Sequence, residues 1–370
     1  MNAHRRTPPT RITSPSLQSP LVRFFLAAYV LLVAYASLYP LSGWREPAGS
    51  AFAFLAAPWP RYLTAFDLAA NFLGYLPYGL LCALALLPRL PRAAALAAAV
   101  ASGALLSLLL EAAQSYVPAR IASNVDVLAN LCGAAAGALV AVLFAARLRD
   151  AEPLQRLRSL AVAPGAAWDL GLTLLGLWLF AQLNPASLLF GTGDLRDLFS
   201  GAAGARHAAE VFVLVEAATT AANLAAVALL ASAGLRADAP ARGLVAALIA
   251  IALLVKTAAF AILMRAEHVL AWLTPGALIG IVAGLALAYA AMQLPRTARL
   301  ALAAALLMAA TVLLNLAPPN PYFAATLKVW EQGHFLNFNG LTRLVSAAWP
   351  FAALVYLVYL AAGRLRDPVR

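Results

Sequence analysis

Three apolar segments in the first 140 residues carry polar and small side chains at helical spacing. The sets are Asp67, Asn71, Gly74 and Tyr78, then Gly103, Ser107, Glu111 and Gln114, then Asp126, Asn130, Gly133 and Gly137. At 3.6 residues per turn, each set falls on one face of a helix. Carboxylates with neighbouring amides can act as a general acid or base, or supply the oxygen ligands of Mg²⁺ or Ca²⁺. The pattern therefore predicts acid/base or cation chemistry within or beside a membrane.

The same residues have structural interpretations. Asp67 and Ser123 are suitable helix N-caps, and Asp126 would stabilise the start of its own helix. Amide side chains in membrane helices often form only interhelical hydrogen bonds. Any one of these residues is readily explained in that way, but several ionisable residues at one depth indicate a functional site.

The composition indicates a membrane-embedded, all-α protein. Of 370 residues, 64% are hydrophobic and only 11% are charged, whereas a soluble domain is about one quarter charged. Apolar stretches of about 20 residues recur and must be helical in lipid. About ten transmembrane helices are expected, near 21–41, 67–87, 93–115, 124–145, 167–183, 208–234, 243–264, 269–291, 298–317 and 345–362.

The distribution of basic residues predicts that both termini are cytoplasmic. The net charge of +11 comes mainly from arginines in short clusters between apolar segments, which is the pattern of the positive-inside rule and not that of a nucleic-acid-binding surface. We expect a disordered cytoplasmic tail at 1–20, a four-helix domain at 21–145, a cytoplasmic linker at 146–166, a second half at 167–362, and a short cytoplasmic tail at 363–370.

This orientation predicts where the polar residues meet. Helices 2 and 4 would run inward and helix 3 outward, so Asp67, Glu111 and Asp126 would lie at the extracytoplasmic end. Asn71 and Asn130 would lie one turn, about 6 Å, deeper. With Gln114 and with Arg120 and Ser123 from the loop after helix 3, they would form what we call the polar cup.

These residues also carry a family resemblance. Ser37-Leu38-Tyr39-Pro40, Asp67-x3-Asn71-x2-Gly74-Tyr75-x-Pro77 and Glu111-x2-Gln114, followed by Arg120, Ser123 and Asp126-x3-Asn130-x2-Gly133-x3-Gly137, together resemble the VanZ-like domain over about residues 21–145. The resemblance implies a multi-pass protein of the bacterial cytoplasmic (inner) membrane and cell envelope. It also implies a link to glycopeptide (teicoplanin) resistance, with Asp67, Asn71, Glu111, Gln114, Arg120, Asp126 and Asn130 as motif positions.

The second half would add about six helices to this domain. Glu216 and Lys256 fall at similar depth in neighbouring helices, so we expect a structural ion pair, since an unpaired charge there is costly. Gly280 and Gly284 repeat the spacing of Gly133 and Gly137, which is compatible with a degenerate internal repeat.

Three functions remain in competition. The first is binding or modification of a lipid-linked, phosphate- or sugar-bearing envelope molecule at the outer leaflet. The residues that would then bind it are Arg120, Asn71, Gln114, Asn130 and Ser123, while one of Glu111, Asp67 and Asp126 would act as a base, or all three together would hold Mg²⁺ or Ca²⁺. The others are a transporter or flippase, and a noncatalytic membrane scaffold. No zinc, P-loop or nucleophile-elbow motif is present.

Overall fold

The chain forms ten α-helices within the residues that the computed structural model describes, which are 20–47, 49–60, 64–149, 161–196, 209–263, 269–317 and 336–365. The helices are α1 (Leu21–Leu38), α2 (Ala65–Leu86), α3 (Arg92–Gln114), α4 (Asn124–Arg149), α5 (Ala166–Ala181), α6 (Ala209–Ala233), α7 (Ala241–Leu263), α8 (Pro275–Ala291), α9 (Arg296–Leu316) and α10 (Leu336–Leu365). A short 3₁₀ helix spans Ala53–Ala56. The all-α prediction is confirmed.

Eight of these helices are long and apolar enough to cross a membrane, while α5 and α8 are shorter apolar helices. Large apolar side chains point outward along them; Leu214, Ile262 and Val355 are 71%, 75% and 70% exposed. Such surfaces suit lipid, since a soluble monomer rarely exposes large contiguous apolar patches. The helices therefore form a membrane bundle.

In the first half, α1–α4, close contact between α2 and α4 depends on glycines. A methyl group at Gly133 would overlap the carbonyl oxygen of Phe72, and one at Gly137 would overlap that of Leu76. Gly79 on α2 is equally close to the backbone of α4. We call these contacts the glycine seam. Because the backbones touch, the two helices that carry four of the eight predicted site residues are held in one register.

The second half, α5–α10, is built around α6. Residues 224–230 of α6 are buried on all sides. Helix α8 lies on α6 through Gly276, Gly280 and Gly284, where a methyl group would meet atoms of Val213, Thr220 and Ala221. The contact resembles the glycine seam between α4 and α2, as a degenerate repeat would require.

Helix α1 joins the two halves, because it contacts α5 and α10 as well as α2 and α3. The ring of Phe25 lies against Gly176 of α5, and the ring of Tyr39 lies against Gly340 of α10. No residue of α1 is fully buried.

Two helix starts differ from the predicted ones. Helix α8 begins at Pro275, six residues later than expected, because Thr274 caps it by accepting the Ala277 N–H at 3.1 Å. Helix α10 begins at Leu336, nine residues earlier, because its polar residues Asn339, Thr342 and Ser346 are buried against the rest of the protein. The predicted tails, over 1–19 and 366–370, and most of the linker, 150–160, lie outside the described residues.

Candidate functional site

A cavity of about 670 Å³ opens at the end of the bundle where α2 and α4 begin and α3 ends. It brings together seven of the eight predicted binding or catalytic residues, namely Asp67, Asn71, Glu111, Gln114, Arg120, Asp126 and Asn130. These seven residues therefore lie around one opening, and from here on the polar cup means this cavity.

Glu111 is fixed by the loop that follows its own helix. Its side chain is 3% exposed, and its Oε2 accepts the backbone N–H of Ser123 at 2.9 Å. The Ser123 hydroxyl in turn accepts the Asp126 N–H at 3.4 Å, as an N-cap residue does. Ser123 therefore positions the loop and the start of α4, and it does not itself line the cavity.

Arg120 lies in the α3–α4 loop, close to both Glu111 and Asp126. Its Nη2 donates to the carbonyl oxygen of Ala36 on α1, and its buried Nε has no hydrogen-bond partner among the described residues. Burial lowers the pKa of the guanidinium, although the two carboxylates act to raise it. An arginine keeps its charge even so, which leaves a cationic donor in a wall otherwise rich in carboxylates.

Asp67 and Asn71 occupy the first two turns of α2. The N-cap of α2 is Thr64 and not Asp67: its hydroxyl accepts the Asp67 N–H at 3.1 Å and donates to Asp67 Oδ2 at 2.6 Å. Asp67 is nevertheless exposed at the entrance of the cavity. The Asn71 amide lies near the Asp126 carboxylate across the α2–α4 contact.

The two remaining amides connect helices. Asn130 Nδ2 donates to Ser107 Oγ at 2.9 Å, and Gln114 Nε2 donates to the Ser37 carbonyl oxygen at 3.1 Å. The interhelical role expected of such amides is thus present for both residues. Asn130 Oδ1, however, is buried without a hydrogen-bond partner in the described structure, so it remains an acceptor beside the cavity.

The carboxylates do not form the cation site that we considered. Within the described ranges, no three His, Cys, Asp or Glu side chains lie close enough together to hold a metal ion. Asp67 is held by Thr64 at the entrance, whereas Glu111 is held by Ser123 in the buried wall. A shared Mg²⁺ or Ca²⁺ on Asp67, Glu111 and Asp126 is therefore not supported by this arrangement.

The predicted ion pair between Glu216 and Lys256 is wrong. The Lys256 ammonium donates to the carbonyl oxygens of Asn184 and Ser187, at 2.7 and 2.9 Å, and to Ser187 Oγ at 3.1 Å. Glu216 lies instead against the Thr274 hydroxyl, and its Oε2 has no hydrogen-bond partner among the described residues. The α5–α6 connection folds back to offer its backbone oxygens, which the spacing of charges along two helices could not reveal.

Part of the cavity wall was missed by sequence reasoning. Phe180 of α5 and Phe338 and Leu341 of α10 line it, and the two rings meet edge to face with centroids 6.1 Å apart. Apolar residues on apolar helices carry no signal that separates a cavity wall from a lipid-facing surface.

Comparison with known proteins bears on the first half. Residues 22–145 match the VanZ/LLP1 family. No curated protein and no solved structure matches the chain. The match covers α1–α4, all of the predicted motif positions and both helices of the glycine seam. Residues 22–145 are therefore a VanZ-like region of a membrane protein, and this region is followed by a longer C-terminal part.

Proposed function

We propose that the cavity binds the headgroup of a lipid-linked envelope molecule at the outer leaflet of the bacterial cytoplasmic membrane. The observation that carries this proposal is the set of seven polar residues around one opening of about 670 Å³ at one end of the bundle. The volume lies within the usual range of small-molecule sites, about 300–1,000 Å³. The excess of basic residues in the opposite loops supports an outward-facing cavity.

The charges favour a headgroup that carries both hydroxyls and an anionic group. Asp67, Glu111 and Asp126 supply acceptors, which suit the hydroxyls of a sugar. Among the described residues of the wall, Arg120 supplies the cationic side chain, and its planar guanidinium suits a phosphate. A bare phosphate would face several carboxylates with one arginine, so a sugar-phosphate fits the wall better than phosphate alone.

Binding is better supported than catalysis, because the described wall offers no activated nucleophile or metal-ligand group. If the protein modifies its ligand, the residues available for the work are Glu111 and Asp126 as general bases. The resemblance to VanZ proteins also suggests a contribution to teicoplanin resistance, which would follow from holding or masking an envelope precursor. Expression of the wild-type protein should then raise teicoplanin tolerance, and the Asp126→Asn variant should not.

The proposal is tested by measuring ligand affinity of the purified protein in detergent. The probes are a polyprenyl phosphate, the same lipid with one sugar on the phosphate, and the neutral polyprenol. We expect the glycosylated lipid to bind best, and Asp126→Asn and Arg120→Gln each to weaken binding roughly tenfold or more, because each removes a charged hydrogen-bonding group.

The matched controls are Asp238→Asn and Arg236→Gln, because these two residues form an exposed pair at the opposite end of the bundle. Neither control should alter affinity. Equal binding by wild type, the cavity variants and the controls would show that the cavity is not the site.

Transport of the same lipid is a second candidate, favoured by the position of the cavity. Its wall includes α1 and α2 of the VanZ-like domain together with α5 and α10 of the second half, and many carriers bind substrate between two halves. Reconstituted vesicles would separate the two functions. A transporter moves a fluorescent glycolipid phosphate between leaflets, whereas a binding protein retains it on one side.

A further inference from the structure

The cavity has two chemically different walls, one from each half of the chain. The VanZ-like domain supplies the carboxylates, the amides and Arg120 together with apolar residues such as Leu32 and Val33, while the described side chains that α5 and α10 contribute are apolar: Phe180, Phe338 and Leu341. The apolar wall lies beyond the region that matches the VanZ/LLP1 family.

Specific contacts hold this apolar wall in place. The Tyr39 ring at the end of α1 lies against Gly340, between Phe338 and Leu341. Further along α10, the Ser346 carbonyl oxygen accepts the Gly193 N–H at 2.7 Å. The start of α10 is thereby fixed both to α1 and to the segment after α5, so its two apolar side chains hold a set position beside the polar wall.

The size of the cavity limits what can enter it. A water molecule occupies about 30 Å³ of liquid, so a cavity of about 670 Å³ holds the equivalent of roughly twenty waters. That is enough for a sugar-phosphate and a few carbons of its chain, but not for a whole lipid. The rest of the lipid chain must therefore lie outside the cavity. Two exposed apolar residues line the cavity at its opening, Phe66, which is 47% exposed, and Ile121, which is 89% exposed.

We infer that the C-terminal half completes the lipid site, and that Phe180, Phe338 and Leu341 select the first carbons of the chain attached to the headgroup. This inference rests on the proposed function and adds that the ligand is a single amphipathic molecule that contacts both halves of the protein. The polar wall binds the headgroup, the apolar wall contacts the adjoining chain, and the remainder of the chain passes Phe66 and Ile121 into the bilayer.

The experiment compares three probes on the full-length protein in detergent: a long-chain polyprenyl sugar-phosphate, its farnesyl counterpart, and the free sugar-phosphate. Phe338→Ala should lower affinity for both lipids about tenfold and leave affinity for the free sugar-phosphate unchanged. The matched control is Phe351→Ala, on the same helix but with its ring 45% exposed on the outer surface; it should behave as wild type.

The outcomes separate this inference from the proposed function. If Asp126→Asn weakens binding of all three probes while Phe338→Ala weakens none, the cavity binds headgroups but the C-terminal half does not contact the lipid chain. In that case this inference fails while the proposed function stands. If neither variant affects any probe, the proposed function fails with it.

A second variant keeps the inference testable if Phe338→Ala does not fold. Leu341→Trp adds volume to the apolar wall and should narrow the space beside the headgroup. We expect the two lipids to lose affinity while the free sugar-phosphate does not. Unchanged lipid affinity in folded Leu341→Trp protein would overturn the inference.

Discussion

The glycine seam yields the sharpest prediction for a single substitution. In Gly137→Ala, the new methyl group would overlap the Leu76 carbonyl oxygen and lie 2.8 Å from the Leu80 nitrogen. Both are backbone atoms, so no side chain can rotate away. To restore ordinary contact, α2 and α4 must move apart by roughly 1 Å, and a gap of that size forfeits about a quarter to a half of the dispersion energy of the separated atom pairs.

The expected magnitude follows from two opposing effects. Overpacking of this kind costs about 3 kcal/mol, the upper part of the usual range. Alanine is favoured over glycine within a helix by about 1 kcal/mol. We therefore expect Gly137→Ala to lower the free energy of unfolding by about 2 kcal/mol.

Gly74→Ala is the matched control, because Gly74 lies on α2 with nothing within 4 Å of an added methyl group. Only the helix-propensity effect remains there, so this variant should be more stable than wild type by about 0.5–1 kcal/mol. Equilibrium unfolding in mixed detergent, with the SDS fraction raised stepwise, measures both. If Gly137→Ala proves as stable as Gly74→Ala, the close approach of α2 and α4 is not real and the register of the polar cup loses its support.

Two further predictions concern charges in the second half. Lys256→Met leaves the backbone carbonyl oxygens of Asn184 and Ser187 without their ammonium donor. This variant should lower the free energy of unfolding by about 1–3 kcal/mol, whereas Ser187→Ala should lower it by about 1 kcal/mol. Equal stability of wild type and Lys256→Met would contradict the assignment of these hydrogen bonds. The second concerns Asp194: burial alone would raise its pKa, but the Arg196 guanidinium outweighs burial and holds the pKa below its ordinary value. A lowered carboxyl pKa stabilises the fold above about pH 4 and loses that effect as the pH falls through the lowered value. Because the pair is 38% and 36% exposed, we expect Asp194→Asn to cost at most about 1 kcal/mol near pH 7 and nothing near pH 2; a cost that is the same at both pH values would refute the pairing.

The polar wall of the cavity was predictable because membrane helices have simple geometry. Once the spans and their alternating directions are known, Asp67, Glu111 and Asp126 must lie at one end, and helical spacing places Asn71 and Asn130 on the same faces. The glycines at positions 133 and 137 are likewise readable, since small residues at four-residue spacing favour close helix contact.

The remaining contacts depend on tertiary structure that local sequence does not encode. Arg120 and Gln114 donate to the carbonyl oxygens of Ala36 and Ser37, and every residue has a carbonyl that could serve. Lys256 was assigned to Glu216 because opposite charges attract, yet an ammonium is satisfied equally well by several backbone oxygens. In each case the charged or polar group was found in the sequence, but its partner was backbone.

The absence of any fully buried residue in α1 has a mechanical consequence. The α2–α4 pair is locked by backbone contact and the α6–α8 pair by similar glycines, so neither pair can deform without the cost calculated above. Helix α1 contacts α2 and α3 on one side and α5 and α10 on the other, and it is held by side-chain contacts such as those of Phe25 and Tyr39 and by hydrogen bonds from Gln114 and Arg120. For a ligand that enters sideways from the bilayer, displacing α1 would therefore cost less than separating α2 from α4 or α6 from α8, because it breaks side-chain contacts and not a close backbone packing.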